Sequence, residues 1–512
     1  MTIETLTPQE AAGRIPDGAT IAIAAAGGGL LEPEAVCAAA EARFLASGHP
    51  RDLTIVNSLG FGDPGHTKGI NHFAHEGLVK RVIMGLWSWS PRLQDMVEAD
   101  AVEAYCLPGG VISQLLREIG AGRPGLFTPV GLGTFVDPRQ GGGRCNRRTV
   151  EELIELLEID GREILRYKPF AVDLGIIRGS FADPDGNISA VEEPADLDSL
   201  AVALAAHNSG GEVIAQVRKL AKTHSFRPRE VCVPGVLVDV VTPDPTQMQT
   251  HRAAYEPALC GEERTDNPLA LTNAAPQAGP RQVIARRAAA ELRPGAVVNF
   301  GYGIPGGIFN MLAERGEEDR YWLTIEQGIH NGAVIDGALF GTAVNPGAIL
   351  SSVNQFDFYG GGGIDVTCLG MGEMDAAGNV NVSHLNGRLV GTGGFIDISQ
   401  NARKVVFCGT FDTKGSEVAL QNGGLKVVRP GRIQKLVERV AQITFSADQA
   451  RIRGQEVVYV TERAVFRLFP EGVALVEIAK GVNLERDVLG AMGFAPLMPT
   501  HPELMAAECF AA

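Results

Sequence analysis

Short runs of Val, Ile and Ala at 20–26, 53–57, 101–106 and 171–177 recur between segments of helical apolar period, such as Pro33 to Phe44 and Thr149 to Leu165. A chain that alternates in this way lays its strands side by side in a mostly parallel sheet, because the intervening helices carry the chain back across the sheet face. At 512 residues it exceeds what one ordinary core holds, so two open α/β domains are expected. Between 256 and 282 the period fails, with Glu256-Pro257, Asn267-Pro268, Ala275-Pro276 and Gly279-Pro280 in quick succession. We read 1–255 as one domain, 256–282 as a linker and 283–512 as the second domain.

The two halves are related. Pro16-Asp17-Gly18-Ala19-Thr20-Ile21 followed by Gly27-Gly28-Gly29 parallels Pro294-Gly295-Ala296-Val297-Val298 followed by Gly301-Tyr302-Gly303. Asp183-Pro184-Asp185-Gly186-Asn187-Ile188 parallels Asp375-Ala376-Ala377-Gly378-Asn379-Val380, and Ser209-Gly210-Gly211 parallels Thr392-Gly393-Gly394. Two similar domains that face one another place a cleft between them.

A net charge of −15 with no run of Lys and Arg argues against nucleic-acid partners. No apolar run approaches the roughly 18 residues of a membrane span. The eight cysteines form no C-x-x-C pair and several lie in apolar runs, as in Val405-Val406-Phe407-Cys408, so reduced thiols are expected and a structural metal is not. Thr7-Pro8-Gln9-Glu10 reads as a capping box with proline in the first turn, not as a leader, and a cytoplasmic protein is expected.

The chemistry concentrates at Thr324-Ile325-Glu326-Gln327-Gly328, where an apolar strand runs into glycine. A carboxylate at the C-terminal end of such a strand faces the crevice where ligands bind, so Glu326 is either a reacting group or the anchor of a nucleotide. Gly301-x-Gly303-x-x-Gly306 precedes it after a strand-like run and fits the dinucleotide fingerprint, with Glu326 as the ribose acid. Pro305 inside that turn weakens the fit, and a strand-to-helix glycine turn also holds other phosphorylated ligands or oxyanions.

Glu326-Gln327-Gly328, Asn354-Gln355-Phe356-Asp357-Phe358-Tyr359 running into Gly360 to Asp365, and Gly391-Thr392-Gly393-Gly394-Phe395-Ile396-Asp397 together resemble the second half of the class I coenzyme A transferases. Gly77 to Arg81 and Gly131 to Arg139 resemble the first half, so the resemblance covers nearly the whole chain and is nearest the single-chain acetate or propionate branch. It implies the fold of that class with the active site between the domains, and Glu326 as a nucleophile that forms a glutamyl-coenzyme A thioester in a ping-pong transfer. It implies backbone oxyanion donors at Gly394 and Gly109, many relatives having glutamine at the latter place. Gly301, Tyr302, Gly303, Ile304, Gly393 and Lys404 are the candidate contacts to coenzyme A, which is substrate and covalent intermediate; no permanent cofactor is expected. Acyl-CoA and acetate, propionate or 3-oxo acids are the implied partners, with a homo-oligomer, dimer or tetramer, as the assembly.

An acyl-CoA hydrolase on the same fold is the alternative, since it needs only water as acceptor; an NAD-dependent oxidoreductase built on the fingerprint is a more distant one, and a silent coenzyme A-binding protein another. His66, His72 and His75 with Asp63 lack the closed spacing of a metal site. Trp87 and Trp89 are read as buried under a loop, with a channel wall as the other reading. His330 and Asn331 lie near enough in sequence to orient Glu326.

Overall fold

The computed structural model describes residues 3–272, 278–498 and 500–511. The protein is α/β, with two large, mostly parallel sheets. In the first sheet the strands Glu4–Thr5, Val240–Pro243, Glu212–Leu220, Leu174–Ala182, Thr20–Ile23, Leu53–Asn57, Val79–Met84 and Glu103–Cys106 lie side by side in that order, all parallel. Leu174–Ala182 is buried at every position but one, as befits a central strand covered on both faces.

The second sheet has Trp322–Ile325, Val297–Phe300, Val366–Gly370, Lys404–Cys408 and Glu456–Val460 as its parallel centre. Antiparallel strands extend it on both sides. Both halves place their first central strand between the next strand in sequence and one that returns much later, so the topology itself repeats.

The repeat extends to hydrogen bonds. Gly18 and Gly295, both at positive φ (76° and 82°), donate to Arg51 and Arg320 carbonyls at 2.8 and 2.7 Å. Asp173 and Asp365 accept the amide of the first strand residue, Thr20 at 2.8 Å and Val297 at 2.9 Å. Asp183 accepts both the amide and the side-chain amide of Asn187, and Asp375 does the same with Asn379. The third sequence parallel fails. Ser209-Gly210-Gly211 ends the helix Ser199–Asn208, whereas Thr392-Gly393-Gly394 opens the helix Phe395–Asn401. Glycine marks both ends for different reasons, a left-handed exit in one and an open helix start in the other.

The capping box at Thr7 forms as expected, Thr7 Oγ1 accepting from the Glu10 amide at 3.3 Å and Glu10 accepting from the Thr7 amide at 2.9 Å. The segment Thr149 to Leu165 is not a helix. It holds the antiparallel strands Ile154–Ile159 and Arg162–Tyr167. Asp160 and Gly161 between them take φ of 50° and 73°, and two successive positive φ angles make the turn that lets strands pair and that a helix cannot contain.

Within 256–282 two single-turn helices form, Pro257–Cys260 and Leu269–Thr272, and the Asn345 side chain clasps Thr265. Ala275-Pro276 lies outside the described residues.

The two apolar cores interlock. Val353, Leu389 and Ile396 pack into the core of the first half, while Leu30, Leu31 and Leu59 pack into that of the second. Among the described residues no helix is long and apolar enough to cross a membrane.

Candidate active site

Glu326 follows directly on Trp322–Ile325, at the C-terminal edge of the second sheet. Its half-buried side chain opens onto a cavity of about 470 Å³ between the halves. Gly27, Leu86 and Trp89 line that cavity from the first half; Gly301, Tyr302 and Gly393 line it from the second.

The carboxylate is held on both oxygens. Oε2 accepts from the Gly394 amide at 3.0 Å, and Oε1 faces the Gln327 side-chain amide at 3.5 Å. Gly394 precedes the helix Phe395–Asn401, so its N–H carries the partial positive charge of a helix start. A Cβ there would stand 2.1 Å from Glu326 Oε2 and 2.9 Å from the Phe356 ring, which is why glycine occupies the position. Burial pushes the Glu326 carboxyl up to about 7, and the Gly394 and Gln327 hydrogen bonds only partly oppose it. A carboxylate so placed is poorly solvated when ionised, which favours a nucleophile at neutral pH.

The chain of the first half shapes the turn that carries Gly394. The Gly85 carbonyl accepts from the Thr392 and Gly393 amides at 2.7 and 3.0 Å, and the Trp87 amide donates to Val390 at 2.9 Å. A Cβ at Gly391 would meet the Gly85 carbonyl oxygen at 2.6 Å, so this contact requires two bare backbones.

Several candidate residues converge here and others do not. Gly301, Tyr302 and Gly393 line the cavity, whereas Gly303 and Ile304 lie outside its lining, in the turn that enters the helix Gly306–Glu314. Gly109, the other expected oxyanion donor, donates its amide to the Gly393 carbonyl at 2.8 Å. Its role is to let the helix Gly109–Gly120 approach that turn; a Cβ would lie 3.2 Å from the Gly393 carbonyl carbon. Lys404 lies outside the lining of this cavity. It starts its strand, at the opposite edge of the sheet from Glu326, and its ammonium pairs with Glu291 and, at 3.5 Å, with Glu456.

His72 and His75 both bond Glu41 at 2.5 Å, and His72 also bonds Glu34 at 2.9 Å. Asp63 accepts the amides of its own loop at Thr67 and Lys68. Trp87 is fully buried, and Trp89 is the one that reaches the cavity. His330 accepts from Trp322 at 2.9 Å and faces Gln355 at 2.8 Å, while Asn331 accepts the Leu323 amide at 3.0 Å, so neither bonds Glu326. Gln327, next to Glu326, and Asp397, three residues after Gly394, are not among the expected site residues; their polar character inside the two motifs was the available signal.

The family model for coenzyme A transferases matches residues 5–243. The acetate CoA-transferase YdiF of Escherichia coli K12 is 42% identical over 509 residues, 99% of this chain and 95% of that protein. A caffeate CoA-transferase of Acetobacterium woodii is 43% identical over 500 residues, 96% of this chain and 94% of that one. The crystal structure of the YdiF acyl-CoA transferase of E. coli O157:H7, a thioester complex with CoA, superposes with a TM-score of 0.94 at 41% identity, covering 100% of this chain and 96% of that chain.

Proposed function

The chain belongs to the coenzyme A transferase family, and from that premise we propose that it moves coenzyme A between short carboxylic acids through a covalent thioester on Glu326. The observation that carries the residue assignment is the Glu326 carboxylate on the cavity wall with the Gly394 N–H at 3.0 Å.

A Glu326 oxygen attacks the thioester carbon of an acyl-CoA; the C–S bond breaks and leaves a mixed anhydride and a thiolate. The thiolate then attacks the Glu326 carbonyl carbon, and the acid departs with the bridging oxygen that came from Glu326. The result is glutamyl-coenzyme A, with the activated bond conserved. An acceptor carboxylate reverses both steps and leaves as the new acyl-CoA. In the first tetrahedral intermediate the oxyanion is the acyl oxygen of the substrate; in the second, formed on the Glu326 carbon, it is the non-bridging Glu326 oxygen, and the Gly394 amide is placed to stabilise that one. Walls of Leu86, Phe395 and Ile398 keep the site apolar, so water competes poorly for the stored thioester. Tyr302, exposed at the rim with its ring edge-on to Phe340, offers a face to the coenzyme's outer portion. The eight cysteines, all free thiols, support a cytoplasmic setting.

The test is intact mass after incubation with acetyl-CoA and no acceptor. The wild-type chain gains the coenzyme A adduct and loses it on adding propionate, with propionyl-CoA formed. Transfer by Glu326→Ala at the wild-type rate would sink the assignment, and rapid release of free coenzyme A without acceptor would make the enzyme a hydrolase.

A further inference from the structure

We propose that the side-chain amide of Gln327 is a catalytic hydrogen-bond donor, which stabilises the acyl oxygen of the substrate in the first tetrahedral intermediate, and that Oε1 is the Glu326 oxygen that attacks. The inference rests on Glu326 being the covalent relay.

The two oxygens of Glu326 are held unequally. Oε2 accepts from the Gly394 amide at 3.0 Å, a full hydrogen bond at a helix start. Oε1 faces only the Gln327 Nε2 at 3.5 Å, beyond the roughly 2.7–3.2 Å of a settled N–H···O bond. An oxygen whose lone pairs are engaged by a strong donor is the weaker nucleophile, so attack falls to Oε1. Gln327 then stands beside the bond that forms.

Gln327 is fixed in place yet underused. It is 5% exposed and lines the cavity, and its amide packs against Gly341, where a Cβ would stand 2.8 Å from both Cδ and Nε2. Its carbonyl oxygen is buried with no partner among the described residues. The amide therefore makes no full hydrogen bond at either end, and an incoming substrate oxygen supplies a partner for its N–H.

Other donors of the lining are spent or remote. The Thr392 and Gly393 amides go to the Gly85 carbonyl, and the Asn299 side-chain amide goes to the Thr324 carbonyl at 3.1 Å. Ser88 and Tyr302 are exposed. The Trp89 indole nitrogen stands over Gly27, 2.4 Å from where a Cβ there would lie, on the wall that the first half contributes. Among these donors Gln327 is the one that adjoins the attacking oxygen.

In the first step an Oε1 lone pair forms the C–O bond to the acyl carbon, and the carbonyl π pair moves onto the acyl oxygen. That oxygen is then two bonds from Oε1, within reach of the N–H that faced Oε1, and its new charge strengthens the hydrogen bond. When the pair returns, the C–S bond breaks; the thiolate leaves and the mixed anhydride remains. Gln327 serves the first intermediate and Gly394 the second.

The experiment compares wild type with Gln327→Ala on acetyl-CoA and on its dithioester, in which sulfur replaces the acyl oxygen and accepts hydrogen bonds weakly. Adduct formation without acceptor is followed by mass, and circular dichroism measures the folded fraction. With acetyl-CoA, Gln327→Ala should form the adduct about 10²–10³-fold more slowly, with half-saturation within about threefold of wild type. With the dithioester the two proteins should differ by less than about tenfold, because no oxyanion develops there for the amide to hold. Gln327→Glu keeps the shape and loses the donor when ionised, so it should be at least as slow as Gln327→Ala on acetyl-CoA. Adduct formation by either variant at the wild-type rate would overturn the proposal. A loss of equal size on both substrates would also overturn it, since the amide would then only orient Glu326. No adduct in the wild type would overturn it together with the Glu326 assignment.

Discussion

The two halves share a register, yet their corresponding strand ends differ in one exchange. Thr20 pairs with Thr54 in the first half and Val297 with Trp322 in the second, so Ser58 stands where Glu326 stands. The position before each helix corresponds as well: Asp198 before Ser199–Asn208, Gly394 before Phe395–Asn401. In the second half the acid is on the strand and the helix start is bare. In the first half the acid is on the helix start and the strand bears a hydroxyl. There Asp198, 1% exposed, accepts from Ser113 at 3.0 Å.

A second exchange closes the first half. Arg178, four residues on from Leu174, matches Gly370, four on from Val366, and Gly370 lines the cavity. Arg178 is buried and binds Glu193 at 2.6 Å and the Gly29 and Glu32 carbonyls. The scaffold alone therefore confers no chemistry. Reactivity requires a carboxylate on the strand, a side-chain-free helix start and an unfilled crevice in front of them.

The comparison is most exposed to failure at its central pair. Glu326→Ala should lower exchange by about 10⁴-fold or more, because it removes the covalent relay. Ser58→Ala should change the rate by less than about threefold, because no covalent step passes through that position. Steady-state exchange and denaturant titration of both variants decide; an equally dead Ser58→Ala would mean the first-half position is also part of the chemistry.

The next test is at the helix starts. Gly394→Ala should cost about 10²–10³ in kcat, since the new methyl displaces the carboxylate from its amide. Asp198→Ala should cost about 1–3 kcal/mol in stability, and its folded fraction should remain active.

Acidity sharpens the contrast further. Because burial holds the Glu326 carboxyl at about 7, kcat/KM should rise with pH through that value. The folded state keeps a proton that the unfolded chain releases near about 4.3, so stability should fall as pH rises from there to about 7 and level off above. Glu326→Gln should accordingly melt higher than wild type at pH 8, by on the order of 1 °C. A lower melting point would mean the ionised carboxylate stabilises the fold.

The smallest effect belongs to the cavity rim. Tyr302→Ala should raise KM for acyl-CoA about 3–10-fold with kcat unchanged, a loss of uniform binding. Lys404→Ala should leave KM alone, since that ammonium faces away from the cleft.

What the amino-acid order revealed, and what it hid, follows from the range of the forces involved. Glu326 at its strand end and the paired Asp183 and Asp375 turns are local, and each is written in consecutive residues. The hairpin at 154–167 was local too, but Leu, Glu and Arg there suit a helix as well, and only Asp160-Gly161 speaks for the turn. The partners of Lys404 and Gly109, Glu291 and Gly393, come from elsewhere in the chain and are not legible in the neighbouring residues. The kinship of Ser58 with Glu326 is invisible to sequence comparison, since only strand pairing aligns them.

The clasp of Gly85 on Thr392 and Gly393 also orders the protein's assembly in time. The segment around Gly85 leaves the ribosome long before the turn it shapes, and large chains fold broadly in the order they are made. The turn presenting Gly394 thus acquires its shape by docking against a segment made earlier. The Gly394 amide is set in place only when residues 85 and 392–393, made far apart along the chain, have met.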